Sequence, residues 1–157
     1  MQIRKAQNKD IAKIWNLLCQ VNLVHHNGRP DIFKCGTEKY TKDQLIEIFN
    51  NDKTPVFVAT DDNDEVIGYV FCIIQQHEND NILTDIKTLY IDDLCVDEQY
   101  RREHIGTKLL DYAFDYAKQI DCYNVTLNVW NLNQNAMNFY KKSGMEPLKT
   151  YMEKIIK

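Results

Sequence analysis

Two groups of residues in this chain have types and spacing suited to chemistry. The first is the polar turn Arg101-Arg102-Glu103-His104-Ile105-Gly106-Thr107, lying between an apolar run, Leu89 to Val96, and a stretch of helical spacing. The first turn of a helix carries unpaired N–H groups and about half a positive charge, so a phosphate is stabilised there, and Arg101 and Arg102 strengthen that field. A solvated helix start would look similar. The second group is Asp92 and Asp93, adjacent carboxylates in an otherwise apolar run. Strand alternation sends their side chains to opposite faces, so at least one should point toward a site, where it could attract an ammonium group and take its proton. A salt bridge to a neighbouring lysine accounts for them equally.

The elements that must position these residues follow from periodicity. Leu109, Leu110, Ala113, Phe114, Ala117 and Ile120 form one helical stripe after Gly106, which makes the central unit a strand, a turn and a helix. Before it, Met1 to Lys5 reads as an edge strand. Asn8 or Asp10 can cap a helix whose apolar face is Ile11, Ile14, Leu17, Leu18, Val21, Leu23 and Val24, ending near His25 to Gly28. Arg29 to Gly36 reads as a loop. Thr41 and Gln44 have capping-box spacing for a short helix through Phe49, with Leu45, Ile46 and Phe49 inward. Pro55 to Thr60 and Val66 to Gln76 are two strands of a hairpin around Asp61 to Asp64, and His77 to Asp85 is an exposed connection. After the central unit come a strand at Asn124 to Val129, a helix at Asn133 to Ser143 closed by Gly144, and a last strand at Leu148 to Ile156. This order predicts an α/β domain with a mixed, mostly antiparallel sheet, and a parallel central pair formed by the strands at Leu89 and Asn124 across the intervening helix.

Composition narrows the class. The 157 residues fit one domain, 1–157, and 44% hydrophobic with 27% charged residues is near the globular average. The longest apolar run, Tyr69 to Ile74, is too short to cross a bilayer, and MQIRKAQNKD lacks a signal-peptide apolar region, so a cytoplasmic protein with no membrane partner is expected. A net charge of −4 argues against a nucleic-acid partner and is compatible with a cationic substrate. Five widely spaced cysteines, with no Cys-x-x-Cys pair and no histidine at zinc-ligand spacing, read as reduced and mostly buried thiols, and no metal is expected.

The turn from Arg101 to Thr107 resembles the pyrophosphate loop of the GNAT superfamily of N-acetyltransferases, usually Arg/Gln-x-x-Gly-x-Gly/Ala, with Arg101 and Gly106 fitting and His104 standing where glycine is usual. A second segment, Asn133-Gln134-Asn135-Ala136-Met137-Asn138-Phe139-Tyr140-Lys141-Lys142-Ser143-Gly144-Met145, resembles the family's Asn-x-x-Ala-x-x-Phe/Leu-Tyr-x-x-x-Gly-Phe pattern. The two occur in the family's order and cover about the last two-fifths of the chain. The resemblance implies the GNAT fold, whose two parallel central strands splay apart to admit the cofactor.

It also implies acetyl-CoA as cosubstrate and an activity: transfer of acetyl from its thioester to a primary amine by direct attack. Arg101, Arg102, Glu103, His104, Ile105, Gly106 and Thr107 would then hold the pyrophosphate, and the exposed backbone of Leu94, Cys95 and Val96 would pair with the pantetheine amides like an added strand. Histidine has a Cβ in the way of the positive φ that glycine permits, so the His104 ring is expected to turn outward. Tyr140 matches the family tyrosine that protonates the departing thiolate, and Asn133, with Ala136, would meet the cofactor arm while capping its own helix. The run Asp92-Asp93-Leu94-Cys95-Val96 resembles the acidic pair of diamine and polyamine N-acetyltransferases, which makes Asp92 or Asp93 the base and a polyamine-like small molecule the acceptor. His25, His26, Asp31, Phe33 and Trp130 fall where the family binds its acceptor. A homodimer is common among relatives. Alternatives are an N-terminal protein acetyltransferase, whose peptide the Arg29 to Tyr40 insertion would hinder, and a non-catalytic acyl-CoA-binding domain, motivated by His104.

Overall fold

A computed structural model describes residues 1–157. Five strands form one mixed sheet in the order β1-β2-β3-β4-β5: β1 Gln2–Lys5, β2 Val56–Thr60, β3 Val66–Gln76, β4 Lys87–Val96 and β5 Asn124–Leu127. The first four are antiparallel, and β5 alone runs parallel to β4. Four helices complete the fold, α1 Ile11–Gly28, α2 Lys42–Phe49, α3 Ile105–Gln119 and α4 Gln134–Lys142. The architecture is the mixed α/β sheet that the sequence predicts, except that β5 stands at its edge, because no strand follows to pair beyond it, so the parallel pair is not central.

Side-chain alternation along β2 and β3 divides the core into two layers. Val56, Val58, Val66, Tyr69 and Phe71 face α1 and α2, meeting Ile14, Leu17, Leu18, Leu45 and Phe49. Phe57, Ala59, Ile67, Val70 and Cys72 face α3, whose stripe of Ile105, Leu109, Leu110, Ala113 and Ala117 is fully buried against them. β3 is therefore covered on both faces, which explains its unbroken apolar run. The hairpin turn is closed by Asp61, whose Oδ1 accepts N–H bonds from Asn63 and Glu65 at 2.9 Å each. Thr41 and Gln44 form the expected capping box at α2.

Several expectations need correction. Asp10 precedes α1 but does not cap it; its carboxylate instead accepts the Gln7 N–H at 2.7 Å and pairs with Arg4. Leu23 and Val24 leave the α1 face for solvent, and Ile46 of α2 is 40% exposed, because each helix meets the sheet along a stripe narrower than its apolar spacing. Only Cys72 and Cys95 of the five thiols are buried; all five are free. β5 ends at Leu127, short of Val129. The last strand does not form. Residues 146–157 make no backbone hydrogen bond to any other part of the chain, and Leu148, Tyr151, Met152, Ile155 and Ile156 are exposed. A strand needs a neighbour to pair with, and this segment docks on none.

Candidate active site

The site begins where the sheet opens. β4 and β5 pair from Thr88↔Asn124 to Ile91↔Leu127 and no further, while β4 continues from Asp92 to Val96. Over that stretch Leu94, Cys95 and Val96 pair with Val70, Tyr69 and Gly68 of β3 on one side, which leaves the other edge of β4 without a strand. A free edge at the point of divergence is what an extended amide-bearing ligand can join.

The register between β3 and β4 slips at the same place. Phe71 faces Asp93 and Cys72 faces Ile91, so Asp92 is the extra residue of a β-bulge. The bulge overturns the expectation that the two carboxylates point to opposite faces. Both meet partners on the α1/α2 side: Tyr40 Oη donates to Asp92 Oδ2 at 2.6 Å, and Tyr69 Oη donates to Asp93 Oδ2 at 3.1 Å. Tyr40 stacks on Phe71 and Tyr69 meets the same ring edge-on, so one aromatic cluster holds both phenols. Lys39 Nζ completes the group, 2.8 Å from Asp92 Oδ2.

Electrostatics follow from this packing. Burial pushes the Asp93 carboxyl up to about 6, against the opposing pull of the Lys39 charge and the Tyr69 hydrogen bond. Burial followed by the Asp93 charge pushes the Cys95 thiol up to about 12, so Cys95 is a protonated thiol that packs rather than reacts. Tyr69 and Tyr40 are raised by burial and by their carboxylate partners, and both remain neutral donors.

The turn before α3 has an unusual backbone. Arg102 and His104 take positive φ, 75° and 59°, so two non-glycine residues adopt the left-handed backbone. Arg101, Arg102, Glu103 and His104 are exposed, with the His104 side chain in solvent, whereas Ile105 is buried in the α3 layer. The first backbone bond of the α3 turn runs from Lys108 N–H to His104 O, and the N–H groups of Arg102 through Thr107 have no partner. Such a ring of free amides fits a diphosphate. Gly106 is not required by sterics: a Cβ there would touch Phe139 Cζ at 3.5 Å and Val96 Cγ2 at 3.6 Å, ordinary contacts.

Those contacts bring α4 over the start of α3. Asn133 caps α4, its Oδ1 accepting the Ala136 N–H at 3.1 Å. Met145 N–H reaches back to Tyr140 O, and Gly144, at φ 86°, closes the helix as the sequence predicts. Phe139 and Tyr140 pack with their rings 5.1 Å apart against the α3 layer. Burial, then the Asp93 charge, pushes the Tyr140 phenol up to about 12, so the group holds its proton at neutral pH and feels the carboxylate across the opening.

The residues expected at the acceptor end are also brought together, apart from Asp31. His25 stacks on Phe33 at 5.0 Å, Phe33 meets Trp130 edge-on at 5.4 Å, and His26 Nδ1 lies 2.7 Å from Phe33 O. The loop after α1 thus touches the segment after β5 and forms a wall. Burial and the Lys39 charge lower the His25 pKa. Asp31 is held instead by Arg29, which also grips Glu153 with two bonds of 3.0 Å. Sequence alone assigns no site role to Lys39, Tyr40 or Tyr69. A fully buried tyrosine needs a hydrogen-bond partner, which is the one signal that could have tied Tyr69 to the acid pair. No three His, Cys, Asp or Glu side chains cluster as metal ligands, and no helix is long and apolar enough to cross a membrane.

Comparison with known proteins shows the family and the fold. A model described as the acetyltransferase (GNAT) family matches residues 23–145. N-alpha-acetyltransferase 50 of Danio rerio is 32% identical over 114 residues, 72% of this chain and 61% of its own length. An N-alpha-acetyltransferase of Sulfurisphaera tokodaii is 32% identical over 115 residues, 71% of this chain and 68% of its own. The chain therefore spans about three-fifths of the length of the first of these relatives. Among solved structures, a mutant protein from Bacillus halodurans superposes with a TM-score of 0.95 at 29% identity, covering 99% of both chains. Glucosamine-6-phosphate N-acetyltransferase from Arabidopsis thaliana shares the fold, with a TM-score of 0.71 at 23% identity over 99% of this chain and 98% of that one. The matched stretch takes in the bulge, the open strand edge, the anion-ready turn and α4, and the chain belongs to the acetyltransferase (GNAT) family.

Proposed function

We propose that this domain transfers acetyl from acetyl-CoA to the primary amine of a cationic, polyamine-like small molecule. The observation that carries the reading is the open edge of β4, with the Asp92/Asp93 pair at its near end and Tyr140 and the free amides of the α3 turn beside it. The amides of Arg102 to Thr107, with Arg101 and Arg102, would hold the diphosphate; the backbone of Leu94, Cys95 and Val96 would hold the pantetheine arm, and Asn133 would steady it from the cap of α4. The cosubstrate supplies an activated thioester, so the protein need only orient, desolvate and move protons.

Asp92 and Asp93 attract the acceptor ammonium, and Asp93, pushed up to about 6, takes a proton as the nitrogen attacks. Tyr140 hydrogen-bonds the departing sulfur and passes it a proton. A phenol at about 12 is a weaker acid than a thiol near about 8.5, so this transfer needs the phenolate reprotonated at once. The acceptor nitrogen's second proton, lost after the one taken by Asp93, supplies it. His25, His26, Phe33 and Trp130 line the acceptor approach.

A second reading, acetylation of protein N-termini, is favoured by the similarity to the two N-alpha-acetyltransferases. The Phe33–Trp130 contact seats the loop after α1 against the segment after β5, which supports ranking a peptide behind the small amine. Thiol release from acetyl-CoA, followed with alkyl diamines and with short peptides in parallel, tests the choice. Higher kcat/KM for a diamine is the expected outcome; preference for a peptide would replace it with the second reading.

A further inference from the structure

One lysine already occupies the place the acceptor nitrogen needs. Lys39 Nζ lies 2.8 Å from Asp92 Oδ2 and 2.9 Å from the main-chain carbonyl oxygen of Asp92, the extra residue of the bulge. An ammonium group held by a carboxylate and a backbone carbonyl is a filled alkylammonium site. Its charge also reaches Asp93 and His25. The lysine is rooted in the loop that follows α1, and its side chain is 40% exposed, so it can swing. Leu94, where the proposed cofactor track begins, is two residues on, about 7 Å along the strand. That gap is within the reach of a lysine rotamer and an acetyl group.

We propose that Lys39 is a self-acetylation site, modified by the domain's own bound acetyl-CoA when no free amine competes. The inference rests on the acetyl-transfer reading above. The Lys39 ammonium gives one proton to Asp92, the carboxylate it touches, the neutral nitrogen attacks the thioester carbon, a C–N bond forms as the C–S bond breaks, and the thiolate leaves with a proton from Tyr140. The nitrogen's second proton replaces the one Tyr140 gave. The product is a neutral amide, which releases Asp92 from its cation and opens the seat to a diffusing ammonium acceptor. Acetylation would thus switch the site from self-occupied to receptive.

The test uses the full chain incubated with isotopically labelled acetyl-CoA and no added amine, with labelled lysines located by peptide mass mapping. Lys39 should label roughly tenfold or more faster than the exposed Lys149 and Lys157, at a rate that does not change on dilution of the protein. Tyr140→Phe should slow that labelling at least about tenfold, and a saturating diamine should suppress it. Labelling no faster than at Lys149 and Lys157, or unaffected by Tyr140→Phe, or proportional to protein concentration, would overturn the proposal. Thiol release with an amine panel on the same sample separates the two levels. Release with Lys39 unlabelled removes self-acetylation and leaves acetyl transfer standing, and no release from any amine removes both.

Discussion

Tyr69 donates its phenolic hydrogen to Asp93 across the β3–β4 ladder, at 3.1 Å, from a position with no exposed surface. Asp92 has its own phenol, Tyr40, at 2.6 Å. Adjacent carboxylates on one face repel; each here has a separate neutral donor, and Lys39 sets an opposing charge against Asp92. The pair is then a compact anionic seat at the mouth of the open strand edge.

The Asp93 carboxyl sets the acid side of the pH profile. Activity that needs its ionised form should fall about tenfold per unit below roughly pH 6. Tyr69→Phe removes a hydrogen bond that favours the carboxylate, so that acid limb should move to higher pH. Measurement of kcat/KM against pH for both proteins checks the direction.

Stability should carry the same signature with a defined sign. The Asp93 pKa is raised in the folded protein from 3.8 to about 6, so between those values the native state binds more protons than the unfolded one. Stability therefore falls as pH rises through that window, by at most about 3 kcal/mol, and is flat with respect to this group above it. Denaturant unfolding at pH 4 and pH 7 should show Asp93→Asn gaining on the parent at the higher pH.

His104 holds a left-handed backbone, φ 59°, that glycine adopts without strain. His104→Gly should raise stability by roughly 0.5–1 kcal/mol, relief of the side-chain penalty exceeding the added freedom of the unfolded chain. Because the ring faces solvent, acetyl-CoA affinity should not weaken. Thermal denaturation and calorimetric titration check the two halves.

Gly68 lies where β3 passes Val96, and a Cβ there would come within 2.9 Å of Cys95 O and 3.2 Å of Leu109 Cδ1. Neither the sheet backbone nor the α3 stripe can yield cheaply. Gly68→Ala should destabilise by roughly 1–3 kcal/mol and weaken cofactor binding through the displaced β4 edge, visible as a lowered Tm and a raised Kd.

Features set by local chemistry were legible in the sequence. The α3 stripe, the Thr41–Gln44 capping box, the hairpin and the Gly144 helix stop each depend on residues close together in the chain, and the structure has each where the sequence predicts it. Features set by non-local pairing were not. One unpaired residue in β4 turns Asp92 and Asp93 to the same face, and nothing in the run Asp92-Asp93-Leu94 announces a bulge that is defined only against β3. The apolar residues from Leu148 to Ile156 have strand-like content, but a strand exists only where a ladder accepts it, and β5 is four residues long. The acid pair was visible; its partners Lys39, Tyr40 and Tyr69, up to 53 residues away, were not.

The central claim is that Tyr140 serves the departing thiolate at the opening between β4 and β5. Steady-state thiol release by Tyr140→Phe, alongside calorimetric acetyl-CoA binding, tests it most directly. The account predicts kcat lowered about 10²- to 10⁴-fold with cofactor Kd within roughly twofold of the parent. A variant that binds acetyl-CoA and turns over an amine at the parental rate would contradict it.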